Sequence, residues 1–140
     1  MVDIAFMGQD KLLVVEEDCI YLMMLDGHVV WQSSGFSGIR DVDAVMADAI
    51  LICLADKVLL MNLNGTTLLE YAVDDPLDAE YEEGKLYIAT KDTVLVVEDG
   101  TVVATYSCSP TDIEVRDGKI FVVEGTTIRI LNDPSWSFEC

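Results

Sequence analysis

A chain of 140 residues with 26 acidic and eight basic side chains, formal charge −18, has the length of one domain and lacks the basic footprint that DNA or RNA recognition needs. Half of its residues are hydrophobic, enough for a sizeable core, but they fall in short runs broken by Asp, Gly, Asn and Glu, far below the ~20 apolar residues of a membrane span. The opening MVDIAFMGQDK has no basic n-region and no continuous apolar stretch, so a soluble, cytoplasmic protein is the expectation.

Along the chain, one pattern returns four times. VDIAFMGQDKLLVVEEDCIYLMMLDG begins at Val2, VDAVMADAILICLADKVLLMNLNG at Val42, LDAEYEEGKLYIATKDTVLVVEDG at Leu77 and TDIEVRDGKIFVVEGTTIRILND at Thr111. Each copy opens on an Asp, and Asp3, Asp43, Asp78 and Asp112 step by 40, 35 and 34 residues. The long first step comes from an insertion, SSGFSGIRD, at residues 33–41. A fixed period of this length marks a repeat architecture, with units of about 1–37, 38–75, 76–109 and 110–140 in a single domain.

Within a unit the residue types are those of strands. In the third copy, Val, Ile, Leu, Thr and Tyr predict strands at roughly 77–82, 85–90, 93–98 and 101–107. Glu83-Gly84 and Asp117-Gly118 precede second strands, and Asp26-Gly27, Asn64-Gly65 and Asp99-Gly100 separate third from fourth strands, where tight two-residue hairpins are expected. The second strand is apolar on both faces, as in Ile50-Leu51-Ile52-Cys53, which suits a sheet packed between two other sheets. The fold class expected is an all-β propeller of four blades, each a four-stranded antiparallel meander.

The residues also carry a resemblance. MMLDGHVVWQSSG, residues 23–35, places Trp31 four residues after Gly27 and resembles the third-to-fourth strand corner of PQQ-like propeller repeats; SPTDIEVRDGKIFVVEG, residues 109–125, is similar to blade openings in PQQ-like, YVTN and NHL propellers. The resemblance implies the fold. Its quinone chemistry is not expected here, because quinoprotein dehydrogenases of this class use adjacent cysteines and more blades, and this chain has neither. Two arrangements follow, a closed four-bladed monomer and half of an eight-bladed ring completed by dimerisation. The monomer is the expectation, since the insertion after the first copy and the shortened last copy make the terminal units atypical, as capping units are.

For function the expectation is a non-enzymatic scaffold or interaction module with a protein partner and no cofactor; the carboxylates spread over the loops, Glu16-Glu17-Asp18 among them, read as a solubilising surface ahead of a dedicated site for a basic partner. The insertion supplies the candidate contact residues Phe36, Ile39 and Arg40, with the alternative that Phe36 and Ile39 fold back over the blade junction. The competing class is an enzyme or cation-dependent ligand binder with Asp3, Asp43, Asp78 and Asp112 around a channel mouth, holding Ca²⁺. Against it stands the reading that each Asp bonds backbone N–H groups at the corner of its blade. His28, the lone histidine, and Ser33, Ser34 and Ser37 have no catalytic signature around them. Cys19, Cys53, Cys108 and Cys140 form no CxxC pair, and free thiols are expected.

Overall fold

Each apolar tract marked in the sequence becomes a strand in a computed structural model of the chain, which describes residues 3–7, 10–36, 38–46 and 49–139 and the side chains of 4, 10–36, 38–43 and 49–133. Blade one comprises β1 (Asp3–Met7), β2 (Lys11–Val15), β3 (Cys19–Met24) and β4 (Val29–Ser34), and blade two β5 (Asp41–Met46), β6 (Ala49–Cys53), β7 (Lys57–Asn62) and β8 (Thr67–Ala72). Blade three comprises β9 (Asp78–Glu82), β10 (Lys85–Ala89), β11 (Thr93–Glu98) and β12 (Thr101–Ser107), and blade four β13 (Asp112–Arg116), β14 (Lys119–Glu124), β15 (Thr127–Ile130) and β16 (Asp133–Glu139). Every blade is a separate four-stranded sheet in chain order, antiparallel throughout. The third blade's strands fall within a residue of the expected positions.

The chain divides into two compact units, residues 1–72 and 73–140, each holding two blades. In the first, Leu13, Val15, Ile20 and Leu22 of blade one pack with Val42, Ile50, Ile52, Leu59 and Met61 of blade two. In the second, Tyr87, Ala89, Val94 and Val96 of blade three pack with Ile113, Ile120 and Val122 of blade four. Alternation explains both cores: Leu13 and Val15 point to one side of β2 and Ile50 and Ile52 to the facing side of β6, so each sheet gives a full apolar face to its neighbour. Among the described residues no polar or charged side chain is buried, so hydrophobic burial is the main force joining blade to blade.

The turns divide into two kinds, which corrects the expectation of tight hairpins at every Asx-Gly pair. Glu83-Gly84, Asp99-Gly100 and Asp117-Gly118 have positive φ at both residues, for instance 53° and 76° at Asp99 and Gly100, as a two-residue turn with right-handed strand twist requires. At Asp26-Gly27 and Asn64-Gly65 only the glycine has positive φ. There Leu25 and Leu63 add a residue to the connection, and the Gly27 and Gly65 N–H groups donate to Met24 and Asn62 carbonyls at 3.0 Å. This is the longer turn with a glycine bulge, and side chains brace it: Asp26 accepts the His28 N–H at 2.9 Å, and Asn62 accepts those of Asn64 and Thr66 at 3.0 Å.

Cys19 and Cys53 in strands and Cys108 just after β12 are buried and form no disulfide among the described residues. Burial, reinforced by the Glu124 charge, pushes the Cys108 thiol above its ordinary value, which disfavours the reactive thiolate. Cys140 lies outside the described residues. No helix among the described residues is long and apolar enough to cross a membrane.

Candidate functional site

The inserted segment between β4 and β5 is held at both ends by backbone bonds. The Phe36 N–H donates to the Asp18 carbonyl at 3.3 Å, and the Arg40 N–H donates to the Cys53 carbonyl at 2.8 Å. Between them Gly38 turns with φ 65°, so close to Ala55 that a Cβ there would lie 3.2 Å from the Ala55 Cβ. Phe36 and Ile39, both half-buried, pack against the core shared by blades one and two. The segment therefore seals the blade junction with its apolar residues while Arg40 stays exposed.

Beside this segment lies a hollow of about 460 Å³, wholly within the first unit. Val15, Val42, Phe36 and Ile39 give it an apolar floor; Glu16, Glu17, Asp18 and Asp41 surround it with carboxylates, and Arg40 completes the rim. The acidic run is the turn from β2 to β3, fixed by the Glu16 N–H donating to the Cys19 carbonyl at 2.8 Å. The Tyr21 hydroxyl nearby is raised above its ordinary value, first by its hydrogen bond and charge interaction with Cys19 and then by the Glu16 charge. The structure thus brings Phe36, Ile39 and Arg40 together and adds three carboxylates that composition alone assigns to a solubilising surface.

The repeated Asp bonds backbone N–H groups in blades three and four. In the second unit, Asp112 accepts the Ile113 N–H on Oδ1 at 2.9 Å, and Asp78 reaches the same N–H with Oδ2 at 3.4 Å while Oδ1 accepts the Ala79 N–H at 2.9 Å. Two carboxylates from adjacent blades thus converge on one strand amide. Asp43 stands half-buried in β5 opposite Leu51, and the Asp3 side chain lies outside the described residues.

Glu124 was not singled out by any local pattern, yet it joins two segments of the second unit. It accepts the Ser109 N–H at 2.8 Å and the Arg129 Nε–H at 2.6 Å. The Ser109 bond first and Arg129 second hold its carboxyl below the ordinary value, against an opposing effect of burial. Because the folded value is depressed, this contribution to stability is full above the unfolded value of about 4.3 and is lost as pH falls through the folded value. Acid unfolding of Glu124→Gln should accordingly show a flatter dependence below about pH 4.3 than the parent; superimposable curves would rule the latch out. His28 is exposed after its turn, and Ser33 and Ser34 sit in β4; Ser37 lies outside the described residues.

No family model matches the chain, and no curated protein matches it. Solved structures do. BamB from Moraxella catarrhalis aligns with 94% of this chain and 49% of its own at 14% identity, TM-score 0.66. The WD40 β-propeller domain of Doa1 aligns over 87% and 46% at 17% identity, TM-score 0.70, and BBS1N, solved in complex with ARL6DN, over 92% and 49% at 13% identity, TM-score 0.72. The fold is that of β-propeller blades, as the repeats led one to expect, and the chain spans about half the length of the structures it matches.

Proposed function

We propose that the chain is a non-enzymatic interaction module and that the hollow at Phe36, Ile39 and Arg40 receives a basic segment of a protein partner. The observation that carries this is the pairing of an apolar floor with the exposed carboxylates of Glu16, Glu17 and Asp18 on its rim. A Lys- or Arg-containing peptide with one apolar residue matches both: the apolar side chain gains burial on Phe36 and Ile39, and the cationic groups meet the rim. The overall charge of −18 draws such a partner in and repels acidic ones. BBS1N, a propeller of similar fold solved in complex with ARL6DN, agrees with a binding role.

The competing reading, cation-dependent chemistry at the repeated Asp residues, is less favoured because Asp78 and Asp112 already bond strand amides. Both readings meet in one titration. A Lys-rich peptide bearing a single aromatic residue, followed by calorimetry, should bind with an affinity that falls with salt. Neutralising the rim by Glu16→Gln, Glu17→Gln and Asp18→Asn together should weaken binding by about tenfold, at a few tenths to 1 kcal/mol per exposed charge. Phe36→Ala should weaken it further, with melting temperature followed to separate lost contact from lost stability. Equal affinity for the neutral-rim variant, or binding that appears only with added Ca²⁺, would defeat the proposal.

A further inference from the structure

The rim of the hollow carries both signs of charge, and backbone bonds fix where each one sits. At one end of the inserted segment the Phe36 N–H is tied to the Asp18 carbonyl, which sets Phe36 against the β2–β3 turn and its exposed carboxylates Glu16, Glu17 and Asp18. At the other end the Arg40 N–H is tied to the Cys53 carbonyl at the close of β6, which sets Arg40 against blade two. Phe36 and Ile39 contribute the apolar floor. Among the described residues that line the hollow, Arg40 is the one cation. A charge of −18 needs no guanidinium there to keep the surface hydrated, and Phe36 and Ile39 cover the blade junction without it.

Resting on the reading of this hollow as a peptide site, we propose that Arg40 selects the partner: it receives an acidic side chain from the same segment whose basic residues meet Glu16, Glu17 and Asp18, with the apolar residue between the two. Arginine suits that task. Its planar fork of five N–H donors holds a carboxylate through two parallel bonds and still serves acceptors of its own protein, so the neighbouring carboxylate of Asp41 on the rim does not exhaust it. The size of the site sets the spacing. A hollow of about 460 Å³ is roughly 10 Å across, the reach of about three residues of extended chain at ~3.3 Å each. The acidic and basic residues therefore flank the apolar one closely, on opposite sides of it.

The result is a selection that net charge cannot make. A wholly basic segment is attracted from a distance but sets a cation against Arg40 when it docks. A segment with an acidic residue at that end gives up part of the long-range attraction and gains a charge-assisted bond in the site. Partners are then told apart by the order of their residues as well as by their composition.

Two peptides of identical composition, capped at both ends so that a Glu side chain carries the only carboxylate, test this by calorimetry at one salt concentration. In the first, two Lys residues stand on one side of a single Phe and the Glu on the other; in the second, Lys and Glu share one side. The parent is expected to bind the first about two- to fivefold more tightly, the size of a contact between exposed charges. Arg40→Gln should bind the two alike, and Arg40→Lys, which keeps the charge without the fork, should recover part of the preference. A purely structural role for Arg40 would lower both affinities together and leave their ratio unchanged, so the ratio reads the contact itself. Equal binding of the two peptides by the parent, or a preference that persists in Arg40→Gln, would overturn the inference while leaving the hollow as a site for a basic peptide. If the Lys-rich peptide also fails to bind, the reading of the hollow falls and this one with it.

Discussion

Ile52→Ala is expected to lower the unfolding free energy by about 2–5 kcal/mol, the range for deleting a large aliphatic side chain from a packed core. Ile52 is fully buried, with Val42 and Leu59 beside it on its own sheet and the apolar face of blade one opposite. Its loss removes the transfer free energy of the deleted methylenes and leaves a void between two sheets whose strands are pinned by ladder bonds on both sides, so collapse around the gap is limited. Ile52→Val, which removes one methylene, should cost only ~0.5–1.5 kcal/mol. Phe36→Ala should fall below the Ile52→Ala value, because Phe36 is half-buried at the edge of the same core. Urea unfolding measures all three, provided the slope with denaturant is unchanged, which shows that the difference lies in stability and not in the size of the transition. An Ile52→Ala loss under ~0.5 kcal/mol, the size typical of a surface change, would mean that the blades do not pack as described.

The repeats and strands were legible because each rests on short-range chemistry. Strand-forming apolar residues run unbroken through Leu86-Tyr87-Ile88-Ala89 and Val94-Leu95-Val96-Val97, and a glycine follows an acidic residue where the chain must adopt positive φ. The lengthened turns at Asp26-Gly27 and Asn64-Gly65 were hidden by the same motif, since the glycine pair looks alike in both turn types and only the preceding Leu25 or Leu63 decides. At the inserted segment Phe36 and Ile39 pack over the core shared by blades one and two, and the same residues line the hollow. The acidic rim was not legible, because Glu16, Glu17 and Asp18 in a turn look the same whether they face solvent alone or border a concave surface. Glu124 escaped for another reason, its partner Ser109 being 15 residues away across a blade boundary.

Glu82 is another long-range tie of this kind, and Glu82→Ala is expected to destabilise the second unit by about 1–2 kcal/mol. The carboxylate at the end of β9 accepts two backbone N–H groups from the β13–β14 turn, that of Gly118 at 2.7 Å and that of Asp117 at 3.2 Å. Bonds from amides to a charged acceptor are worth more than neutral ones, ~1.5–3 kcal/mol when well formed. Solvent around this turn lowers the figure, because water replaces the carboxylate once it is gone. The turn is one that needs the help: Asp117 holds φ at 52°, a conformation unfavourable for any residue with a side chain, and Asn132 braces its other side, donating from Nδ2 to the Gly118 carbonyl at 2.7 Å and accepting the Ile120 N–H at 3.1 Å. Removing Glu82 should therefore raise hydrogen exchange first at Asp117 and Gly118, and only weakly at Ile120, whose bond to Asn132 remains. Glu82→Gln should recover part of the loss, since its amide oxygen still accepts one N–H while the charge is gone. If Glu82→Ala leaves exchange at both turn amides unchanged, blade three does not clasp blade four through this residue, and their association rests on the apolar face of Tyr87, Ala89, Ile113 and Val122 and on the Asp78 and Glu124 bonds.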